Sequence, residues 1–260
     1  MRHGIRWIEA RLLPHGWTDL LRQIALFAGA FVLYDVVRGL VADNGNLYKP
    51  FGDAMRIIDL ERTLHIFVEP SVQAWAQNKH WLIDGLDWIY LNGHFFITVA
   101  ALAFMYVRRN DSFYFVRNMF LIAMALALVG YWLYPTAPPR LMPEWGFTDS
   151  ISQFMTGGTG WIDDGPARAF TNFYAAVPSI HVCFAVIVGW PMARLVSSRA
   201  ARIAWSLYPL LVTFVVVATA NHFLMDVFLG VLTAAFSAVL AERLLARARP
   251  DAWAFGHATA

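Results

Sequence analysis

The sequence predicts an all-α integral membrane protein, six transmembrane helices with amphipathic helices lying along the interface. Three observations predict it. Hydrophobic residues make up 58% of the 260 residues and charged ones only 15%, where a soluble domain carries about a quarter. Apolar runs approach the roughly 20 residues needed to cross a hydrocarbon core. Lys and Arg gather in alternate loops, the asymmetry that orients membrane helices. The same composition excludes other classes. A net charge of +2 with no basic block argues against a nucleic-acid partner. Cys183 is the single cysteine, so no disulfide forms within the chain.

The elements follow in chain order. "MRHGIRWIEARLL" lacks the short apolar stretch and small-residue cleavage site of a secretory signal. It reads as an interfacial helix over 1–15, with Ile5, Ile8 and Leu12 on one stripe. Spans are predicted at 20–42, 82–107, 113–134, 178–196, 202–220 and 222–243. "RRNDS" (108–112) parts the second from the third, and "RLVSSRAAR" (194–202) parts the fourth from the fifth. "FGDAMRIIDLERTLHIF" (51–67) has apolar residues at 57, 58, 60, 64 and 67 with charges between them. The segment 51–77 therefore reads as interfacial. With no internal repeat, 1–260 is treated as one membrane domain.

Loop charge sets the expected orientation. The N-terminal stretch through Arg22, the 108–117 turn, the 194–202 turn and the C-terminal tail together hold thirteen Lys and Arg. The opposite side, 43–81, 135–177 and 219–222, holds six. Both termini are thus expected in the cytoplasm of a plasma-membrane protein. The two long connections are expected outside, where loops of such length usually cover a site.

Three polar stretches interrupt the apolar pattern at that outer level: "YPTAPPRL" (134–141), "VPSIH" (177–181) and "NHFLMD" (221–226). His222 and Asp226 are four apart and would share a helix face. The carboxylate would then fix one imidazole nitrogen and leave the other as a nucleophile or base. The bland alternative is a pair that only neutralises itself. In "PSIH", Pro178 suits the first helical position. The amides of Ser179 and Ile180 and the Ser179 hydroxyl would then face an anion at the positive end of the helix dipole. His181 would stand ready to donate a proton; its bland reading is an interfacial histidine. Arg140, stiffened by Pro138 and Pro139, either recognises phosphate or contacts lipid headgroups. His94, inside the second span, and the loop residues Asn172 and Tyr174 are weaker substrate-binding candidates, each with an ordinary structural alternative. Asp163 and Asp164 read more simply as a solvated turn. Arg56 and Arg62 read as headgroup contacts.

In these elements the chain resembles the type 2 phosphatidic acid phosphatase superfamily, whose pattern is KxxxxxxRP, PSGH and SRxxxxxHxxxD. Pro178, Ser179, Ile180 and His181 match the second element, His222 and Asp226 the third, and Arg140 the arginine of the first. The lysine and the proline of the first element are Leu133 and Leu141 here, and the Ser-Arg of the third is Val215 and Val216. Those departures, with "YPTAPPR", "AAVPSIH" and "ATANHFLMDVFLG", resemble the branch of the inositol phosphorylceramide synthases. The resemblance covers about 85–240, the expected catalytic core. It implies that His222 attacks phosphorus to form a phosphohistidine, Asp226 orients it, and His181 serves as acid and then base. Arg140 and Ser179 would hold the phosphoryl oxygens, with no metal and no cofactor. The partners implied are a membrane phospholipid donor and a lipid or polyol acceptor, with the site at the extracytoplasmic face.

Other readings stay open. With water as acceptor the same residues make a lipid or polyprenyl-diphosphate phosphatase. A metalloenzyme using His181, His222 and Asp226 leaves the dipole-facing PSxH element unexplained, and excess chelator would silence it. A transporter is disfavoured because the polar residues gather at one end of the spans and not at the midplane.

Overall fold

The computed structural model describes residues 13–42, 48–155 and 174–245, apart from the side chains of 40–42 and 244–245. Within them the chain is all-α, interrupted only by short turns and by one isolated bridge between Thr136 and Ala175. The predicted helix over 1–15 lies almost wholly outside the described residues.

Helix α1 (Gly16–Ala42) runs along the outside of the bundle. Its start is pinned by Asp19, which accepts hydrogen bonds from Tyr106 (2.9 Å) and Tyr114 (3.0 Å). Helices α2 (Tyr48–Thr63) and α3 (Glu69–Gln77) form the segment predicted as interfacial. The single helix expected over 51–67 stops early. The chain turns at 64–68, with His65 at a left-handed φ of 58°, and restarts with Pro70 in the first turn of α3. Of the expected apolar stripe, Ile57 and Ile58 are buried while Leu60 and Leu64 are exposed. Two acids, Glu61 and Glu69, occupy the inward face instead.

Helix α4 (His80–Arg108) is continuous, with one π-helical turn at Ile89–Gly93 just before His94. It is followed by α5 (Asn110–Leu133), two 3₁₀ turns at Pro139–Leu141 and Pro143–Trp145, and the short α6 (Ser150–Met155). Then come α7 (Ile180–Leu195), α8 (Arg199–Ala218) and α9 (Leu224–Leu240), the last continuing into a π turn at Ala241–Leu245. Among the described residues five helices, α1, α4, α5, α8 and α9, are long and apolar enough to cross a membrane. The predicted fourth span is shorter: α7 has 16 residues, about 24 Å of helix.

That short helix is the centre of the packing. It lies against α4, α5, α8 and α9, and Val182, Cys183, Ala185, Ile187 and Val188 are 0% exposed. Glycines permit the close crossings. A Cβ on Gly189 would stand 2.9 Å from the Trp205 carbonyl of α8, and one on Gly130 of α5 2.7 Å from Pro178 Cδ. The outer surface is the reverse of a soluble one: Leu33, Phe96, Trp132 and Leu210 are all more than 60% exposed. A ring of large apolar side chains on helices of this length is what lipid contact requires.

Candidate active site

The site is built where α7 and α9 begin. Ser198 and Ala218 bound the preceding α8, and the connection from it is tight. The amides of Asn221 (2.9 Å) and His222 (3.2 Å) both donate to the Val216 carbonyl, and Ala220 takes a left-handed φ of 51°. Helix α9 begins only at Leu224, with Phe223 as its N-cap. His222 therefore precedes the helix, and the pairing expected from a shared helix face arises differently. Asp226, three residues into the cap, turns its carboxylate back over the helix end. Its Oδ2 accepts the Phe223 amide at 2.9 Å and faces His222 Nδ1 at 3.3 Å. This is the backward reach of a capping box, extended by one residue to an imidazole. Asp226 is 0% exposed and His222 4%. A buried carboxylate at Nδ1 holds the proton there and leaves Nε2 as the basic nitrogen.

Helix α7 begins two residues later than the sequence suggests: its first residue is Ile180 and not Pro178. Ser179 caps the helix, so Pro178 stands outside it, and the Val177–Pro178 peptide is cis. Serine's side-chain acceptor is the better cap: Ser179 Oγ accepts the Val182 amide at 3.5 Å. Nor is the Ser179 amide free, since it donates to the Asp226 carbonyl at 3.0 Å. The unsatisfied first-turn amides of α7 are then those of Ile180 and His181, with the Ser179 hydroxyl proton beside them. The Ser179–Asp226 bond ties the two helix starts together.

His181 stands between the remaining groups. Its ring centre is 6.0 Å from that of His222, 5.4 Å from His94, and stacked at 4.4 Å on Tyr90. His94 Nδ1 meets the Tyr208 hydroxyl at 2.8 Å. His181 Nδ1 and His94 Nε2 are both buried without a partner. Arg140 lies in the Pro139–Leu141 turn, and its amide donates to the Ala220 carbonyl at 2.8 Å. That bond places it two residues from His222. Its guanidinium is not an unpaired cation: Nη1 bonds Asp149 Oδ2 at 2.9 Å, while Nε is buried and unpartnered. Asp149 itself caps α6 through the Ser152 amide. Tyr174 packs edge-on against Phe51 with Val177, Ala220 and Phe223 in the neighbouring core. Asn172, Asp163 and Asp164 fall outside the described residues. Among the described residues no three His, Cys, Asp or Glu side chains are placed to hold a metal ion.

Glu61 and Glu69 were not anticipated as neighbours of the site. Both are 0% exposed, and they accept the Met225 (2.7 Å) and Leu224 (2.9 Å) amides of α9. One signal was present: Glu61 lies four residues after Ile57 and three after Ile58, on the apolar stripe of α2.

The sequence model of the PAP2 superfamily matches residues 55–240. The chain belongs to the PAP2 superfamily. Its members are phosphatases and phosphotransferases, which makes this chain a membrane enzyme of that kind. No curated protein and no solved structure matches it. Against the superfamily pattern, the Ser-Arg positions are filled by buried packing, while the lysine position is an exposed leucine. Val215 and Val216 are 1% and 0% exposed, and Leu133 points outward at 61%. A cation does approach Leu133 from elsewhere: Lys49 Nζ donates to its carbonyl at 3.3 Å and pairs with buried Asp53.

Proposed function

We propose that this PAP2 enzyme transfers a phospholipid head group, of phosphoinositol type, to a lipid or polyol hydroxyl through a phosphohistidine. The observation that carries the reading is the meeting of His222–Asp226 with His181 and the α7 helix start, at a site where two superfamily cations are absent. A diester head group carries less charge than a phosphate monoester dianion and has less need of those cations. In the first step His222 Nε2 attacks phosphorus, and the bond from phosphorus to the diacylglycerol oxygen breaks. His181 gives its proton to that departing alkoxide. Asp226 stabilises the positive charge that develops on His222. In the second step the acceptor hydroxyl attacks phosphorus and yields its proton to His181, and the N–P bond breaks. Ile180 and His181 amides, the Ser179 hydroxyl and Arg140 are the groups offered to the phosphoryl oxygens. The buried nitrogen of His94, facing His181, is offered to the acceptor, and Tyr174 lines the approach. No step calls for a metal.

In this reading α7 also spans the membrane and brings the spans to six, both termini are cytoplasmic, and the site opens to the outer face of the plasma membrane. The loop charges support that orientation. The deciding experiment supplies the purified enzyme with a phosphorus-labelled phospholipid and candidate acceptors. Label appearing on a new lipid supports transfer. Label released only as free phosphate or free head-group phosphate makes water the acceptor and the enzyme a phosphatase.

Arg140→Lys should lower kcat/KM by roughly 10²-fold, since a lysine cannot both hold Asp149 and present a second donor to phosphate. Steady-state kinetics on the labelled donor measure it. Near-normal kcat/KM would remove Arg140 from the phosphate site.

A further inference from the structure

Glu61 and Glu69 take no part in the steps above, yet both are fully buried. The 64–68 turn folds α2 and α3 so that both carboxylates meet the start of α9. Each uses one oxygen in the same way, on consecutive amides: Glu69 Oε1 on Leu224 and Glu61 Oε1 on Met225. The amide just before, Phe223, is taken by Asp226. Three successive amides of one helix end are thus each held by a different carboxylate. Those three amides are thereby taken from any substrate anion.

The other oxygens pose a problem. Oε2 of Glu61 and Oε2 of Glu69 are both buried with no donor. No Lys or Arg forms an ion pair with either glutamate among the described residues. The groups facing the pair from α9 are Asp226, a third acid, and beyond it His222, which Asp226 already engages. Two ionised carboxylates in such a place repel each other and leave two acceptors unsatisfied. One proton between them removes both difficulties.

We propose that Glu61 and Glu69 share a single proton between their Oε2 atoms, and that this carboxyl–carboxylate pair is a positioning device for the His222–Asp226 turn. The claim about the proton stands on the two glutamates alone. The claim about positioning rests on the phosphohistidine reading. Burial, and then the neighbouring Glu69 carboxyl, push the Glu61 carboxyl up to about 9. A carboxyl raised from 4.5 in this way contributes stability that is complete below 4.5 and is lost as pH rises through about 9. Beyond that point two anions face one another beside Asp226, and α2–α3 loosens from the catalytic turn.

The test uses the full chain in detergent micelles or lipid nanodiscs. Infrared difference spectra taken across about pH 9 should show the loss of a protonated-carboxyl band in the wild type. The band should be missing from both Glu61→Gln and Glu69→Gln, because an amide replaces the shared proton with its own N–H. Thermal unfolding should lose part of its pH dependence between 4.5 and about 9 in Glu61→Gln. Where turnover is measurable, kcat should fall above about pH 9 in the wild type with little change in KM, and that limb should flatten in Glu61→Gln. Glu61→Gln should also restore most of the turnover that Glu61→Ala loses, since only glutamine still accepts the Met225 amide. A band that persists in both glutamine variants overturns the shared proton. An unchanged alkaline limb in Glu61→Gln overturns the positioning role. Inactivity on every phospholipid would instead sink the transferase reading, leaving the infrared and unfolding results to decide this one.

Discussion

Replacing His222 with alanine is expected to lower kcat by a factor on the order of 10⁴ or more, with the fold retained. The imidazole is the group that forms a bond to phosphorus in the proposed reaction, and no neighbour can substitute for it. His181, the nearest imidazole, is centred 6.0 Å away and lies on the other helix. The fold should survive because the turn is held by main-chain bonds, from Asn221 and His222 to Val216, that the substitution leaves alone. Asp226 keeps the Phe223 amide. His222→Asn is the sharper variant, because its side-chain amide can still donate to Asp226 while it cannot attack phosphorus. Both variants should bind labelled donor, and neither should acquire the acid-labile, base-stable label of a phosphohistidine. Retention of more than about a tenth of the wild-type kcat in either variant would reject His222 as nucleophile. His181→Ala should behave differently. As proton donor to the leaving alkoxide, its loss should be felt least with a donor whose leaving group is already acidic.

How much of this was legible in the sequence depends on whether the partner is local. His222 and Asp226 were paired correctly from a spacing of four, yet the physical reason differs. The expected shared helix face does not exist, and the carboxylate reaches backward from a cap. Both geometries put residues i and i+4 in contact, so spacing alone could not separate them. The start of α7 lies two residues beyond the Pro178 that the sequence suggests, because serine's capping oxygen takes the N-cap and leaves Ile180 as the first helical residue. The superfamily followed from three short elements in order. Arg140 was expected as an available cation, but Asp149, nine residues on and within an irregular stretch, takes one of its nitrogens. The place of Glu61 on an apolar stripe marks its burial, but the partners of Glu61 and Glu69 are hidden for a stronger reason. A carboxylate on an amphipathic helix ordinarily faces water, and the amides that hold these two lie 155 and 164 residues further along the chain. Nothing local announces such a partner. The helices at the predicted spans were legible to within a few residues, and five of them are long and apolar enough to cross a membrane, but the shortness of α7 was not legible.

Gly230→Ala is expected to cost nearly as much activity as removing a phosphate ligand, roughly 10²-fold in kcat, although Gly230 touches no reacting atom. A Cβ at this position would stand 2.5 Å from the Ser179 carbonyl oxygen. That oxygen cannot simply turn away. It accepts the Cys183 amide at 3.0 Å, the first turn's main-chain bond, while the Ser179 amide is fixed on Asp226. The added methyl must therefore push the start of α7 away from α9 as a unit. Ordinary van der Waals contact requires a shift of about 1 Å, and the two residues divided by it are His181 and His222. Overpacking at such a crossing destabilises by about 1–3 kcal/mol, so the melting temperature should fall as well. Gly85→Ala in α4 is the matched control, because nothing lies within 4 Å of its Cβ. Alanine is the better helix former by about 1 kcal/mol, so this variant should melt no lower than the wild type and turn over normally. Measuring kcat and thermal stability for the pair separates a crowded crossing from a general intolerance of helix glycines. If Gly230→Ala kept full activity, the bond between Ser179 and Asp226 could not be what sets the distance between acid and nucleophile. If it lost activity while melting normally, the crossing would be shown to serve the site and not the stability of the bundle.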